Sequence, residues 1–331
     1  MRIQSAVLAS SGTRQPTTVE ELLGPDTMAQ LDRLDFRSRR VLEGALQGER
    51  RSKRRGRSVE FADFRPYTPG DDLRHIDWNV YARLERLFIK LFVAEEDLAV
   101  HIAVDRSASM DAGSPNKLLF AQRLAMALGY VGLARNNRVI VSAFGGRSFR
   151  RLAPMRGRRN TQRLGEFILH EMQPEQAVGA PAKATRDGRD HSLVDAMRAI
   201  VQGASGKGVV VVISDFLYSD GVEDALSSLA GPRTFDARLL HTLSPDEIKP
   251  ELAPGAGVKG DVRLVDVETG AAVEATVSDA LLAQYHRRLE RFCAALEDAA
   301  RARDMTYSLV QTDAPIDALL LGALRKGGLL G

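Results

Sequence analysis

From residue 98 onward the apolar positions of this chain alternate between two rhythms. LAVHIAV is an apolar run of strand length, and RVIVSAFG, SFRRLAP, GKGVVVVISD, TFDARLLHTL and MTYSLVQ read as further strands. Between them lie segments whose apolar residues recur every three or four positions, including NKLLFAQRLAMALGYVGLA, TQRLGEFILHEM, SLVDAMRAIVQGA and GVEDALSSLA. Strands alternating with helices predict an α/β domain, a mostly parallel sheet flanked by helices on both faces. One stretch breaks the rhythm. DVRLVDVETGAAVEATV reads as two strands joined through ETG, an antiparallel hairpin or an addition at the sheet edge. A long helix follows, marked by Leu281, Tyr285, Leu289, Phe292 and Leu296, and APIDALLLGALRK reads as the closing helix.

Upstream, the pattern is less regular. Residues 1–30, rich in Ser, Thr, Gly and Pro, read as a flexible leader. Leu34, Val41, Leu42, Ala45 and Leu46 share one face of a helix expected over 32–46. The block RRSKRRGR repels itself and is expected in solvent. TPGDD marks a turn, with Asp71 or Asp72 as its cap, and RLFIKLFV reads as a strand. The expected organisation is therefore a leader over 1–30, a small helical and β extension over 31–97, and the main α/β domain over 98–331.

Composition narrows the function classes. The 331 residues are 44% hydrophobic and 27% charged, and the net charge is only +3, weak support for a nucleic-acid partner. The single cysteine, Cys293, excludes a disulfide framework and is expected in the core. No run is apolar enough to span a bilayer and the N-terminus lacks a signal-peptide core, so a cytoplasmic location is expected. GASGKG lacks the spacing of a phosphate-binding loop, and neither a nucleophile elbow nor a His-Glu-x-x-His pair is present. Arg147, Arg150, Arg151, Arg156, Arg158, Arg159 and Arg163 form a second basic cluster. A solvated face or an acidic protein partner is expected there, with nucleic acid behind.

The candidate chemistry sits at two strand ends. In an open α/β sheet, ligands bind beyond the carboxyl ends of the strands. HIAVD ends in Asp105 and VVVVISD in Asp215, with Ser107 and Ser109 at alternate positions after the first and Ser214 beside the second. Such hard oxygen groups suit Mg²⁺, with water completing the octahedron. Few protein charges would leave the ion electrophilic toward an outside carboxylate, which is docking chemistry. The plain alternative is that Asp105 and the serines cap their loops. Further upstream, Asp71, Asp72, Arg74, Asp77 and Arg83 surround Trp78. Either Asp77 pairs with an arginine and Trp78 packs a minor strand, or Arg74, Asp77, Trp78 and Arg83 form a docking face.

VDRSASM resembles the first loop of the metal-ion-dependent adhesion site of von Willebrand factor type A domains, and VVVVISDF the later strand that supplies its second Asp. RPYTPGDDLRHIDWNVYAR resembles the signature of the DUF58 family, a likeness extending over roughly residues 30–325. The resemblance implies a von Willebrand A-like fold, a non-enzymatic adaptor, and a MoxR-type AAA+ ATPase as partner alongside a client protein. It also implies metal contacts from Asp105, Ser107, Ser109 and Asp215. The middle loop of that site brings a Thr. Here RDGRDHSLVDAM places His191 at that position, with Ser192 or Asp190 as substitutes and Thr185 more distant. A histidine there favours Mn²⁺ or another borderline ion over Mg²⁺. The rival functions are a metal-dependent hydrolase using His191 or Asp190, and a basic nucleic-acid-binding protein.

Overall fold

The computed structural model describes residues 15–38, 59–71, 73–94, 98–145, 148–174, 193–203, 208–218, 221–230, 235–250, 260–265 and 272–331. The elements run α1 (Val19–Leu22), α2 (Pro25–Leu31), β1 (Val59–Pro66), α3 (Trp78–Leu84), β2 (Phe88–Ala94) and β3 (Ala99–Asp105). Then come α4 (Lys117–Ala134), β4 (Arg138–Phe144), β5 (Arg150–Met155), α5 (Thr161–Glu171), α6 (Leu193–Gly203) and β6 (Gly208–Ser214). The chain continues through α7 (Val222–Ala230), β7 (Phe235–Leu243), α8 (Pro245–Ile248), β8 (Gly260–Val265), β9 (Ala272–Val277), α9 (Asp279–Arg301) and β10 (Thr306–Gln311). A closing helical segment follows over residues 316–324. Two compact units result, one made of Met1–Leu42 with Leu98–Gly331, the other of Glu43–Asp97.

The larger unit is built on a sheet of order β10-β7-β6-β3-β4-β5, parallel except for β5, which runs antiparallel to β4 at one edge. Every residue of β3, β6 and β7 is buried, which is why these strands lack a polar-alternating face, and β7 buries even Asp236, Arg238 and His241. Val100, Ile102 and Val104 pair with Val209, Val211 and Ile213 and face one core, shared with α4. Ala103, Val210 and Val212 face the other, with α6 and α7.

Helix α4 is buried almost all round because it is covered twice. The sheet lies on one side. On the other, Val19, Leu22, Leu31, Leu164 and Ile168 from α1, α2 and α5 join the same core. Residues from Gln15 on are therefore built into the fold, unlike the loose leader expected over 1–30. Thr18 caps α1, its hydroxyl accepting from Glu21 N at 3.3 Å, and Pro25 opens α2. Asp32 ends α2 instead of starting a helix, and Phe36 bridges to Leu330; the rest of the helix expected over 32–46 lies outside the described residues. β8 and β9 form a free antiparallel hairpin, a two-stranded sheet of its own.

The smaller unit pairs β1 with β2 in antiparallel fashion. Asp71 closes the turn after β1. It accepts from Thr68 N at 2.9 Å and from Arg65 Nη2 at 2.6 Å, and Gly70 at φ +103° supplies the conformation that other residues resist. The Arg65 guanidinium holds the Asp71 carboxyl well below the usual carboxylate range. Asp77 caps α3, its Oδ1 accepting from Asn79 N at 2.8 Å and Val80 N at 3.2 Å.

Two histidines are buried in the central strands. His101 Nε2 lies 2.9 Å from Ser142 Oγ, and burial, helped by Arg151, lowers its pKa to about 3. His241 Nδ1 lies 2.8 Å from Tyr307 Oη, and burial lowers its pKa to about 4 against the opposing pull of Asp215. Cys293, expected in the core, is half-buried beside this ring. Both rings are neutral when folded, whereas the unfolded chain protonates them near the ordinary histidine pKa of about 6.5. Below that pH the unfolded state binds more protons, so stability is lost as pH falls. Each ring is expected to cost about 2 kcal/mol between pH 7 and pH 5. Urea unfolding of His101→Gln at both pH values is expected to show about 2 kcal/mol less pH-dependent loss than the parent chain. Equal losses in the two proteins would show that His101 is not held neutral.

Candidate functional site

The strand-end site is assembled by register. Val104 pairs with Ile213, so Asp105 and Ser214 stand side by side at the carboxyl edge of the sheet. Both are fully buried. Ser214 Oγ donates to Asp105 Oδ2 at 2.5 Å, and Tyr218 Oη donates to the same oxygen at 3.0 Å. Asp105 Oδ1 accepts from Ser107 N at 2.9 Å, a tight turn immediately after the strand. Burial, then the charge of Asp215, pushes the Asp105 carboxyl up to about 6. Ser107 Oγ and Ser109 Oγ lie 3.1 Å apart. Arg106 points elsewhere, donating to Ser148 O at 3.1 Å and to the Ser148 hydroxyl. The first loop therefore has the alternation expected of it, with Asp105, Ser107 and Ser109 turned inward.

A glycine sits against this carboxylate. Gly145, just past β4, has φ +86°, and a Cβ there would lie 2.5 Å from Asp105 Oδ1 and 2.7 Å from Ser107 N. The β4 exit loop is pressed onto the acid, a close approach that only glycine allows.

Asp215 goes the other way. It is one residue past Ser214, so the strand alternation turns it toward α4. Its Oδ2 accepts from Lys117 Nζ at 2.8 Å and its Oδ1 from Leu217 N at 3.2 Å. Lys117 and Asp215 are both fully buried. The ammonium also contacts Glu247 Oε1. Burial works to lower the lysine pKa, but Asp215 and Glu247 together overcome it and hold the ammonium above its ordinary value. Glu247 is fixed in turn: its Oε2 accepts from Ser244 N at 2.9 Å and Ser244 Oγ at 3.0 Å, the reciprocal cap of α8, and its carbonyl accepts from Tyr285 Oη at 2.5 Å. Ser114 N donates to Asp246 Oδ1 at 3.0 Å, tying the same two loops by a second bond.

Tested as a cation site, the arrangement fits an ammonium. Each of the four carboxylate oxygens of Asp105 and Asp215 accepts from a protein donor. The two acids, brought to one strand edge, are committed to different partners. Among the described residues no group of three or more His, Cys, Asp and Glu side chains is placed to hold a metal ion. His191, Ser192, Asp190 and Thr185 lie outside the described residues.

Lys117 and Glu247 are the functional residues that sequence reasoning missed. A lysine beside a helix start reads as solvated, and its two acids are 98 and 130 positions away. The one available signal was its place at the head of a helix apolar on all sides. The basic cluster is partly absorbed into the fold: Arg158 pairs with Asp32 at 2.9 Å, Arg150 with Glu171 at 3.4 Å, and Arg151 donates to the Ala199 carbonyl. RRSKRRGR and Arg147 lie outside the described residues.

In the smaller unit, Trp78 does not pack as a minor strand's anchor. It is 62% exposed, in edge-to-face contact with Tyr81 at 6.1 Å between ring centres. Leu73 and Leu84 are also exposed, and Arg74 and Arg83 are exposed beside them.

Comparison with known proteins agrees with this architecture. The family model described as "Protein of unknown function DUF58" matches residues 63–293. An uncharacterized protein of Mycobacterium bovis and two from strains of Mycobacterium tuberculosis are each 27% identical over 266 residues, covering 80% of this chain and 78% of the relative. The mixed, mainly parallel sheet flanked by helices is consistent with a von Willebrand A-like architecture. Among the described residues no helix is long and apolar enough to cross a membrane.

Removing one member of a buried ion group leaves the others uncompensated, so Lys117→Met is expected to destabilise the chain by about 3–5 kcal/mol in urea unfolding. Glu247→Gln, which keeps the cap's hydrogen-bonding atoms and the Asp215 pair, is expected to cost less. A loss below about 1 kcal/mol for Lys117→Met would mean the ammonium is solvated.

Proposed function

The chain belongs to the DUF58 family, and on that premise we propose that it is a non-enzymatic protein-docking module. It works beside a MoxR-type AAA+ ATPase in assembling or maturing a client protein complex. The partner class comes from the resemblance of the Trp78 signature to its family. The observation that carries the docking role is the exposure of Trp78 at 62% on a capped helix. Tryptophan left in water on an ordered element is uncommon, and it is the residue that most often anchors a protein interface. Trp78, Tyr81 and Leu84 recur every three positions on α3, giving one apolar face. Asp77 holds the start of that helix, and Arg74 and Arg83 supply the polar surroundings typical of an interface rim. The finer fold assignment, a von Willebrand A-like domain, is part of the same proposal. It makes the carboxyl edge of the sheet a second surface where loops meet a partner.

The test is a binding titration of the full chain against the MoxR-type ATPase of the same source by biolayer interferometry. Trp78→Ala is expected to weaken binding by about 30-fold, a loss of about 2 kcal/mol. Arg83→Ala at the rim is expected to change it by less than about fivefold. The same affinity for parent and Trp78→Ala would remove α3 from the interface, and no binding by the parent would remove the partner class.

A further inference from the structure

We infer that Lys117 is the resident cation of the strand-edge site, so that this chain keeps its sheet-edge loops in place without a divalent ion. The inference is independent of which protein docks. It rests first on where the ammonium sits. Lys117 opens α4, directly after the loop that carries Asp105, Ser107 and Ser109, and its Nζ reaches Asp215 after β6 and Glu247 after β7. One charge thus joins loops from three neighbouring strands, the task that a bound metal performs where loops alone cannot hold together.

It rests secondly on the acceptors. Asp215 offers Oδ2 to the ammonium and Oδ1 to a backbone amide. Asp105 offers Oδ2 to Ser214 and Tyr218 and Oδ1 to Ser107 N, and the Gly145 backbone lies against that last oxygen. A hard cation such as Mg²⁺ would have to compete with these donors for the remaining lone pairs and share the pocket with a fixed positive charge 2.8 Å from Asp215. The loop exits are equally tight. A Cβ on Gly113 would meet Ser244 Oγ at 2.5 Å, so the two loops that Lys117 joins are already in contact. Ser107 and Ser109 are buried with the acids, so their hydroxyls face the same interior as the carboxylates.

The experiment uses the full chain stripped with chelator. Mn²⁺ is titrated and followed by the electron paramagnetic resonance signal of the free ion. In parallel, the Lys117 ammonium is followed in ¹H–¹⁵N spectra selective for lysine side chains, with and without Mg²⁺. The expected result is a slowly exchanging Lys117 signal unmoved by Mg²⁺ and no Mn²⁺ uptake that depends on either acid. Lys117→Met, where it folds, is expected to bind Mn²⁺ at least about tenfold more tightly than the parent, since it frees Asp215. Where it does not fold, the two measurements on the parent decide. Stoichiometric Mn²⁺ uptake by the parent that is lost in Asp105→Asn or Asp215→Asn overturns the inference. Displacement of the Lys117 signal by Mg²⁺, or a folded Lys117→Met with no gain in Mn²⁺ binding, also overturns it.

Discussion

A positive charge removed from water is the constraint around which the larger unit is arranged. Taking the Lys117 ammonium out of solvent would be prohibitive on its own. It is offset only because the ends of β6 and β7 bring Asp215 and Glu247 to the head of α4. That requirement fixes other parts in turn. Glu247 can serve only if α8 is capped at Ser244, and Ser244 can lie there only if Gly113 has no side chain. Tyr285 from α9 holds the Glu247 carbonyl. The sheet order sets the distances within this ion group.

Asp105 shows the same logic on the opposite face. Its partners are hydroxyls and an amide, not a cation, and its carboxyl is pushed up by burial and by Asp215. Two acids one register step apart therefore live in different electrostatic settings, one beside an ammonium and one among neutral donors. A strand edge with two acids is thus two sites, separated by the alternation of side chains about the sheet plane.

Much of this was legible from the residue pattern. The apolar runs of β3 and β6 declared strands buried on both faces, and DRSAS at the end of β3 declared an inward-turning loop. The hairpin over β8 and β9 was visible in ETG, although its separation from the main sheet was not. What the pattern concealed were contacts made across long sequence distances. α1 and α2 looked like leader because their few apolar residues, Val19, Leu22 and Leu31, gain meaning only against α4 and α5. Lys117 drew no notice because its acids are far along the chain. Trp78 read either as packing a minor strand or as part of a docking face, because local sequence carries no record of what lies outside a residue.

The first buried apolar residues of the larger unit precede the smaller one, while the elements that cover them follow it. Between Val19 and Ile168 a ribosome must add the whole of Glu43–Asp97 and most of the first half of the sheet. At about 5–20 residues per second, that interval lasts on the order of ten seconds. Until α4 and α5 are made, Val19, Leu22 and Leu31 lack the helices they pack against, and the long loop closure they await slows their docking further. Apolar surface made before the smaller unit is thus sheltered only by elements made after it. That exposure falls during synthesis, before the ends of β6 and β7 have brought Asp215 and Glu247 to Lys117.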